Sequence, residues 1–228
     1  MSEYKHIAVI PARAGSVGFP GKNRIFFDNT ADFLDGIGWF DSVIVSTDDP
    51  EVIIKASARG YIPHQRPDEL AGPAVSIKAV FEELISSRNI PKDTILWLFY
   101  LPVLYKSLHD FENAKVNIEN KPINSLCTFI PAVTHPYTVW KYDDSTHMIT
   151  KYIENDVFRR QDMPPAWMHY HYVCCFKAGE IAALDSELLN KNTHPVFLSE
   201  EQAKNLVEID TPADLEKWEA LQNSKNRG

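Results

Sequence analysis

The segment Pro11-Ala12-Arg13-Ala14-Gly15-Ser16-Val17-Gly18-Phe19-Pro20-Gly21-Lys22-Asn23 sets three glycines, a serine and two cations on one short stretch. Such a loop suits a site where backbone N–H groups wrap the oxygens of a triphosphate while Arg13 and Lys22 neutralise them. It is not a Walker loop, because Asn follows Lys22 and the spacing differs, and it is not G-x-G-x-x-G. A surface turn whose glycines only supply positive φ has the same composition, so the loop alone leaves both readings open. Glu208 and Asp210 lie two apart on an expected strand, which points both carboxylates to one face where they can share a hard cation. The same pair also reads as a strand-end acid followed by the cap of a helix that Thr211-Pro212 starts. Arg159-Arg160-Gln161-Asp162 offers a paired arginine suited to a carboxylate ligand, or equally a solvated charge run. His169-Tyr170-His171-Tyr172 has a metal-binding look, but strand alternation splits it onto two faces, and with no acid or thiol at ligand spacing no metal site is expected there.

The elements that would position these groups follow from hydrophobic periodicity. His6 to Ile10 and Ser42 to Ser46 read as buried strands, the second closing on Thr47-Asp48-Asp49-Pro50, an acid cap before a helix that runs toward Gly60. Ile77, Val80, Phe81, Leu84 and Ile85 fall at helical spacing within Ser76 to Ser87. Thr94 to Tyr100 is a strand-length apolar run, Leu108 to Ile118 a helix capped by Ser107, and Ser125 to Ile130 another strand. Helical spacing returns from Ala178 to Asn190, then a short strand at Leu206 to Ile209 and a last helix to about Leu221. Asp48 and Asp49 read as ordinary helix-start acids. Strands alternating with helices predict an α/β fold with a mostly parallel sheet flanked by helices. Between Tyr137 and Ile153, bulky and polar residues alternate on both sides of Asp143-Asp144-Ser145, predicting a projecting antiparallel hairpin within residues 134–165. Its Val139, Trp140, Tyr142, Met148 and Ile149 need cover, from a second subunit or from the chain's own core.

The 228 residues are 44% hydrophobic and 24% charged, enough for one sizeable domain. Acids outnumber Lys and Arg 31 to 23, so the bulk field repels polyanions and a nucleic-acid partner is not expected. Apolar runs fall short of the roughly 18 residues a membrane span needs, and with no signal-peptide pattern the expected location is cytoplasmic. Cys127, Cys174 and Cys175 show no C-x-x-C spacing and read as buried thiols.

Ile10-Pro11-Ala12-Arg13-x-Gly15-Ser16-x-Gly18-x-Pro20-x-Lys22-Asn23 resembles the signature of the CMP-sugar synthetases, the cytidylyltransferases that activate sialic acid and related keto-sugar acids. Four further stretches match in order: Val45 to Asp49, Arg66 to Ala71, Arg159 to Pro164, and Glu208 to Pro212. The resemblance implies a Rossmann-like nucleotide-diphospho-sugar transferase fold over residues 1–228. It implies attack of a sugar hydroxyl on the α-phosphate of CTP, releasing pyrophosphate with Mg²⁺ as cofactor. It assigns Arg13, Lys22 and Asp210 to catalysis, and Ala12, Arg13, Gly15, Ser16, Lys22, Asn23, Arg66 and Ser76 to the nucleotide. Tyr100 stands near the base, Glu208 and Asp210 at the metal, and Arg159, Arg160, Gln161, Asp162 and Tyr170 at the sugar acid, as part of a homodimer.

The departures are specific. Val17 stands where the family has Lys, and Tyr100-Leu101-Pro102-Val103-Leu104-Tyr105-Lys106 replaces Gln-Pro-Thr-Ser-Pro-Leu-Arg, so the Gln that reads the cytosine edge is gone. The stretch from Asn23 to Ser46 is about ten residues short, which predicts loss of much of a helix near the nucleotide. An alternative follows: a noncatalytic or altered-specificity relative that binds nucleotide weakly and scaffolds or regulates a sugar pathway.

Overall fold

Buried strands in this chain present alternate side chains to two separate cores. In the computed structural model, which describes residues 5–225, the first strand β1 (His6–Pro11) sends Ala8 and Ile10 to one core and Ile7 and Val9 to the other, as the twofold side-chain period requires. Helix α1 (Lys22–Ile37), β2 (Ser42–Thr47), α2 (Pro50–Ala58), β3 (Ile62–Gln65), α3 (Ile77–Ser87), β4 (Ile95–Leu98) and α4 (Leu108–Asn120) follow. Then come β5 (Ser125–Pro131), the hairpin β6 (Trp140–Asp143) and β7 (Met148–Lys151), β8 (Trp167–Lys177), β9 (His194–Phe197), α5 (Glu200–Ala203) and α6 (Pro212–Lys225).

Seven strands form one sheet in the order β3-β2-β1-β4-β8-β5-β9. It is parallel except for β8, which runs antiparallel to both β4 and β5. Side chains of α1, α2 and α4 fill one core around Trp97, Phe99 and Phe111; α3 covers the opposite face through Val80, Phe81 and Leu84. The chain leaves β1 toward β2 and β3, then returns to place β4 on β1's other side. That reversal opens a crevice beyond the carboxyl ends of β1 and β4, the place where open α/β sheets bind ligands. The hairpin forms its own two-stranded sheet. Among the described residues no helix is long and apolar enough to cross a membrane.

The expected acid cap acts as read at α2, where Asp49 accepts from the Glu51 amide; at α3 the cap is Ser76, which accepts from the Ala79 amide and which the sequence marked only as a nucleotide-binding hydroxyl. Elsewhere the structure corrects the expected helix signals. The shortened stretch after Asn23 does not cost a helix, because α1 runs for 16 residues from a left-handed Gly21. Ser107 makes no side-chain cap for α4; its amide donates to the Tyr172 hydroxyl instead. Ala178 to Asn190 is not a helix beyond a 3-10 turn at Ala178–Ala183. There the Asp185 carboxylate captures the amides of Glu187 and Leu189, and Leu188 takes φ 61°, which ends helical geometry. Leu206 to Ile209 forms a single bridge, Val103 to Glu208, rather than a strand.

Candidate active site

At the crevice, a cleft of about 250 Å³ is lined by Arg13, Ser16, Lys22, Asn23, Arg66, Tyr100 and Glu208, with a wall of Pro73, Val75, Ile77 and Val80. The glycine loop is held open by its neighbours. Thr47 Oγ1 donates to the Ala12 carbonyl at 2.5 Å, the Ala14 amide donates to Asp48 Oδ1 at 2.8 Å, and Asn23 Nδ2 donates to the Arg13 carbonyl at 2.8 Å. Gly18 lies so close to the chain's last crossing that a Cβ would stand 2.7 Å from the Asp210 carbonyl oxygen, so only glycine fits. Lys22 closes the same contact with its ammonium 2.5 Å from Asp210 Oδ1.

Cations dominate this cleft. Buried Arg66 is fixed by Nη2 donating to the Ser46 carbonyl at 2.9 Å. Burial lowers its affinity for its proton, the charge of Asp48 offsets this in part, and nearby Arg13 adds to the lowering. Arg13 Nη1 and Ser16 Oγ are both buried from solvent without a hydrogen-bond partner. Buried donors left empty are rare in native proteins and mark a missing ligand or water. Opposite them, burial and the charge of Asp210 push the Glu208 carboxyl above the usual carboxylate range. Tyr100 and Tyr170 are also pushed up, first by desolvation and then by acids that include Glu208, so both phenols stay protonated hydrogen-bonding groups.

No family model matches the sequence. The pseudaminic acid cytidylyltransferase of Campylobacter jejuni is 30% identical over 229 aligned positions, covering 93% of this chain and 94% of that protein. This chain belongs to the CMP-sugar cytidylyltransferase family. The N-acylneuraminate cytidylyltransferase of Streptococcus agalactiae is 26% identical over 171 residues, 72% of this chain but 41% of that protein, so the chain spans under half of that relative's length. A solved CMP:2-keto-3-deoxy-manno-octonic acid synthetase in complex with CTP superposes with TM-score 0.66 at 17% identity, over 97% of this chain and 99% of that one. A 4-diphosphocytidyl-2C-methyl-D-erythritol synthase superposes at 0.64 with 12% identity, over 94% and 96%. These two likenesses establish the fold.

Not every residue carried over from the cytidylyltransferase motifs reaches the cleft. Ala12 is buried beneath it and Gly15 faces solvent. Ser76 spends its hydroxyl on the α3 cap. Arg159 pairs with Asp162 at 2.6 Å on the exposed 3-10 turn after the hairpin, and Arg160 lines a second, larger cleft with His135, Phe158 and Trp167. Gln161 is exposed on the same turn. Tyr170 is half-buried near the Glu208 and Asp210 charges, its hydroxyl unpartnered. Val17, in the family's lysine position, is 82% exposed and does not plug the cleft. Lys106 does not stand in for the family arginine in the cleft lining; its ammonium donates to the Val103 carbonyl at 2.6 Å and to Asn29. Sequence reasoning missed the apolar wall, because Ile77 and Val80 carry only the signal of an ordinary helix face and Val75 that of a loop residue before it. It also passed over Asp48, whose carboxylate sets the loop through the Ala14 amide.

Proposed function

We propose that this chain transfers CMP from CTP to a nonulosonic, sialic-acid-like keto-sugar acid, with release of pyrophosphate. The observation that carries this reading is the pair of buried, unpartnered groups, Arg13 Nη1 and Ser16 Oγ, on two residues that line, with Lys22, a cleft at the β1/β4 switch point. In the transfer, the sugar hydroxyl oxygen bonds to the α-phosphorus, the bond to the departing pyrophosphate breaks, and the hydroxyl proton passes to water at the open mouth. Arg13 and Ser16, their donors unspent, and Lys22, released from Asp210, hold the phosphate oxygens on which charge accumulates. Arg66, braced on Ser46, adds a buried positive field behind them. Tyr100 offers its ring and hydroxyl to the base in place of the family Gln.

Mg²⁺ is the cofactor in this reading. Glu208 and Asp210 would hold it: their donor set is all oxygen, and the repulsion that raises the Glu208 carboxyl is what a divalent cation relieves. When bound it neutralises charge on the phosphate oxygens. Arg159 and Arg160 are set apart from this cleft within one chain, which supports a homodimer in which the arm of one copy carries them to the other's sugar acid.

The test is pyrophosphate release with Mg²⁺, each of CTP, UTP, ATP and GTP in turn, and a panel of nonulosonic acids. CTP should support turnover, and Lys22→Ala should lower kcat/KM about 100-fold or more, the usual cost of losing one stabilising charge. Silence with all four nucleotides would leave the noncatalytic alternative standing.

A further inference from the structure

The sequence expectation that His171 has no thiol within ligand reach fails for a structural reason. Along β5, Cys127 pairs with Cys174 of β8, while the next residue, Thr128, pairs with Tyr170. One step on β5 therefore faces four on β8, a three-residue bulge that leaves His171, Tyr172 and Val173 outside the ladder. In a regular strand His171 and Cys174, an odd number of residues apart, would point to opposite faces. Bulges re-aim side chains, and this one turns His171 toward the two cysteines. The Thr128 hydroxyl fills the gap, donating to the Val173 carbonyl and accepting from the Val173 amide, each at 3.2 Å.

The outcome is a ligand set of a recognisable kind. One donor atom each from Cys127, Cys174 and His171 lie within 4.8 Å of one another, and the cysteines are 0% and 1% exposed. His171 Nε2 donates to the Glu187 carbonyl at 2.8 Å, leaving Nδ1 as the nitrogen with a lone pair to give. A histidine fixed through its other ring nitrogen by a backbone carbonyl is the ordinary outer-shell arrangement at metal centres. The Glu187 carboxylate is 4.0 Å from that Nδ1, and His171 also groups with His169 and Glu187. Glu187 is exposed, so the His171 end of this group meets solvent.

We propose that Cys127, Cys174 and His171 bind a thiophilic divalent ion of the zinc class, with the Glu187 carboxylate rotating in as the fourth ligand. Two sulfurs, a nitrogen and an oxygen suit tetrahedral zinc and exclude Mg²⁺, which separates this centre from the carboxylates of the CTP cleft. Its role is structural. It clamps the bulge between β5 and β8 and fixes His171, whose ring stands edge-on to Tyr100 at 5.4 Å. Tyr100 in turn lines the nucleotide cleft.

The full chain, produced with zinc and kept reduced, should retain about one zinc per chain after desalting, as closed four-ligand sites do. Replacement by Co²⁺ should give a thiolate-to-cobalt charge-transfer band in the near ultraviolet, which carboxylates at Glu208 and Asp210 cannot produce. Cys174→Ser and His171→Gln should each lose the band and most of the metal. If either variant misfolds, the wild type still decides: bound zinc should slow alkylation of Cys127 and Cys174 but not of Cys175, which lies in the opposite core. A reduced wild type with no cobalt–thiolate band, equal metal content in folded variants, or zinc that slows all three cysteines alike would each overturn the proposal.

Discussion

Lys106 shows how a single side chain can make stability depend on pH. Its ammonium is largely buried, with no acid beside it among the described residues; it donates to the Val103 carbonyl and to Asn29 Oδ1, and desolvation lowers its pKa from the usual 10.5 to about 7. Below pH 7 the lysine is charged in both folded and unfolded chains, and the folded state carries the full cost of burying it. As pH rises through 7 the folded chain releases its proton while the unfolded chain keeps its own up to about 10.5, so stability rises across that interval. The gain should be about 2 kcal/mol, allowing for the side chain's partial exposure. Urea unfolding of wild type and Lys106→Met from pH 6.5 to 9.5 tests it: the difference between the two should shrink steadily with pH, and a constant difference would refute the assignment. Nothing in the sequence marks Lys106 as unusual, since a lysine before a helix reads as a solvated residue. Residues whose chemistry is written in their type were easier to read. Arg13, Ser16, Lys22, Asn23, Arg66, Tyr100 and Glu208, spread over almost 200 positions, do converge on one cleft. His171 and its cysteines were unreadable because a bulge, not a spacing, brings them together.

At the scale of elements, most legible ones had strong caps or uninterrupted apolar runs; β3, β9 and α1 had neither, while α5, only four residues long, escapes notice despite the capping box of Ser199 and Gln202. Strands β3 and β9 are the two edges of the sheet, four residues each, and carry Pro63 and Pro195. Proline is tolerated there because an edge strand leaves one side unpaired, and it erases the sequence signal for a strand. Helix α1 begins at a glycine with no side-chain cap and has no base in its last turn, so neither end announces itself. What fixes it is tertiary: Asp28, Asp32 and Asp35 form a stripe of acids that Arg59, just past α2, meets at 3.2, 2.7 and 2.7 Å. Lys55 of α2 adds a second contact to Asp28, whose carboxyl that hydrogen bond holds below its usual range. Arg59→Ala would leave three neighbouring acids with one cation among them. Because the acids are about half exposed or more, the loss should be modest, about 1–2 kcal/mol, lowering Tm by roughly 2–6 °C. The difference should narrow in 1 M salt, where exposed charges are screened. A Tm deficit unchanged by salt would mean that the arginine acts through packing alone.

The whole molecule leaves one element without a core. In the hairpin, Tyr142 pairs with Ile149 and Trp140 with Lys151, so cross-strand geometry collects Trp140, Tyr142 and Ile149 on one face of a two-stranded ribbon. They are 49%, 58% and 61% exposed, and neither strand pairs with the main sheet. Of the two covers expected from sequence, the chain's own core is therefore not the one used. An isolated two-stranded ribbon is at best marginally stable in water, yet this one carries the segment leading to Arg159 and Arg160. A second copy laid against the apolar face would bury it and deliver those arginines away from their own chain, toward the cleft of the neighbour. Light scattering at micromolar concentration should then give twice the 26.0 kDa chain mass. Tyr142→Asp combined with Ile149→Asp should return the mass to that of one chain, because each buried charge without a partner costs several kcal/mol of association. The CTP binding proposed above, assigned to residues of one chain, should survive in that monomer while turnover with the sugar acid falls. A wild type that is monomeric at this concentration, or a monomeric variant with full turnover, would remove the arm from the site.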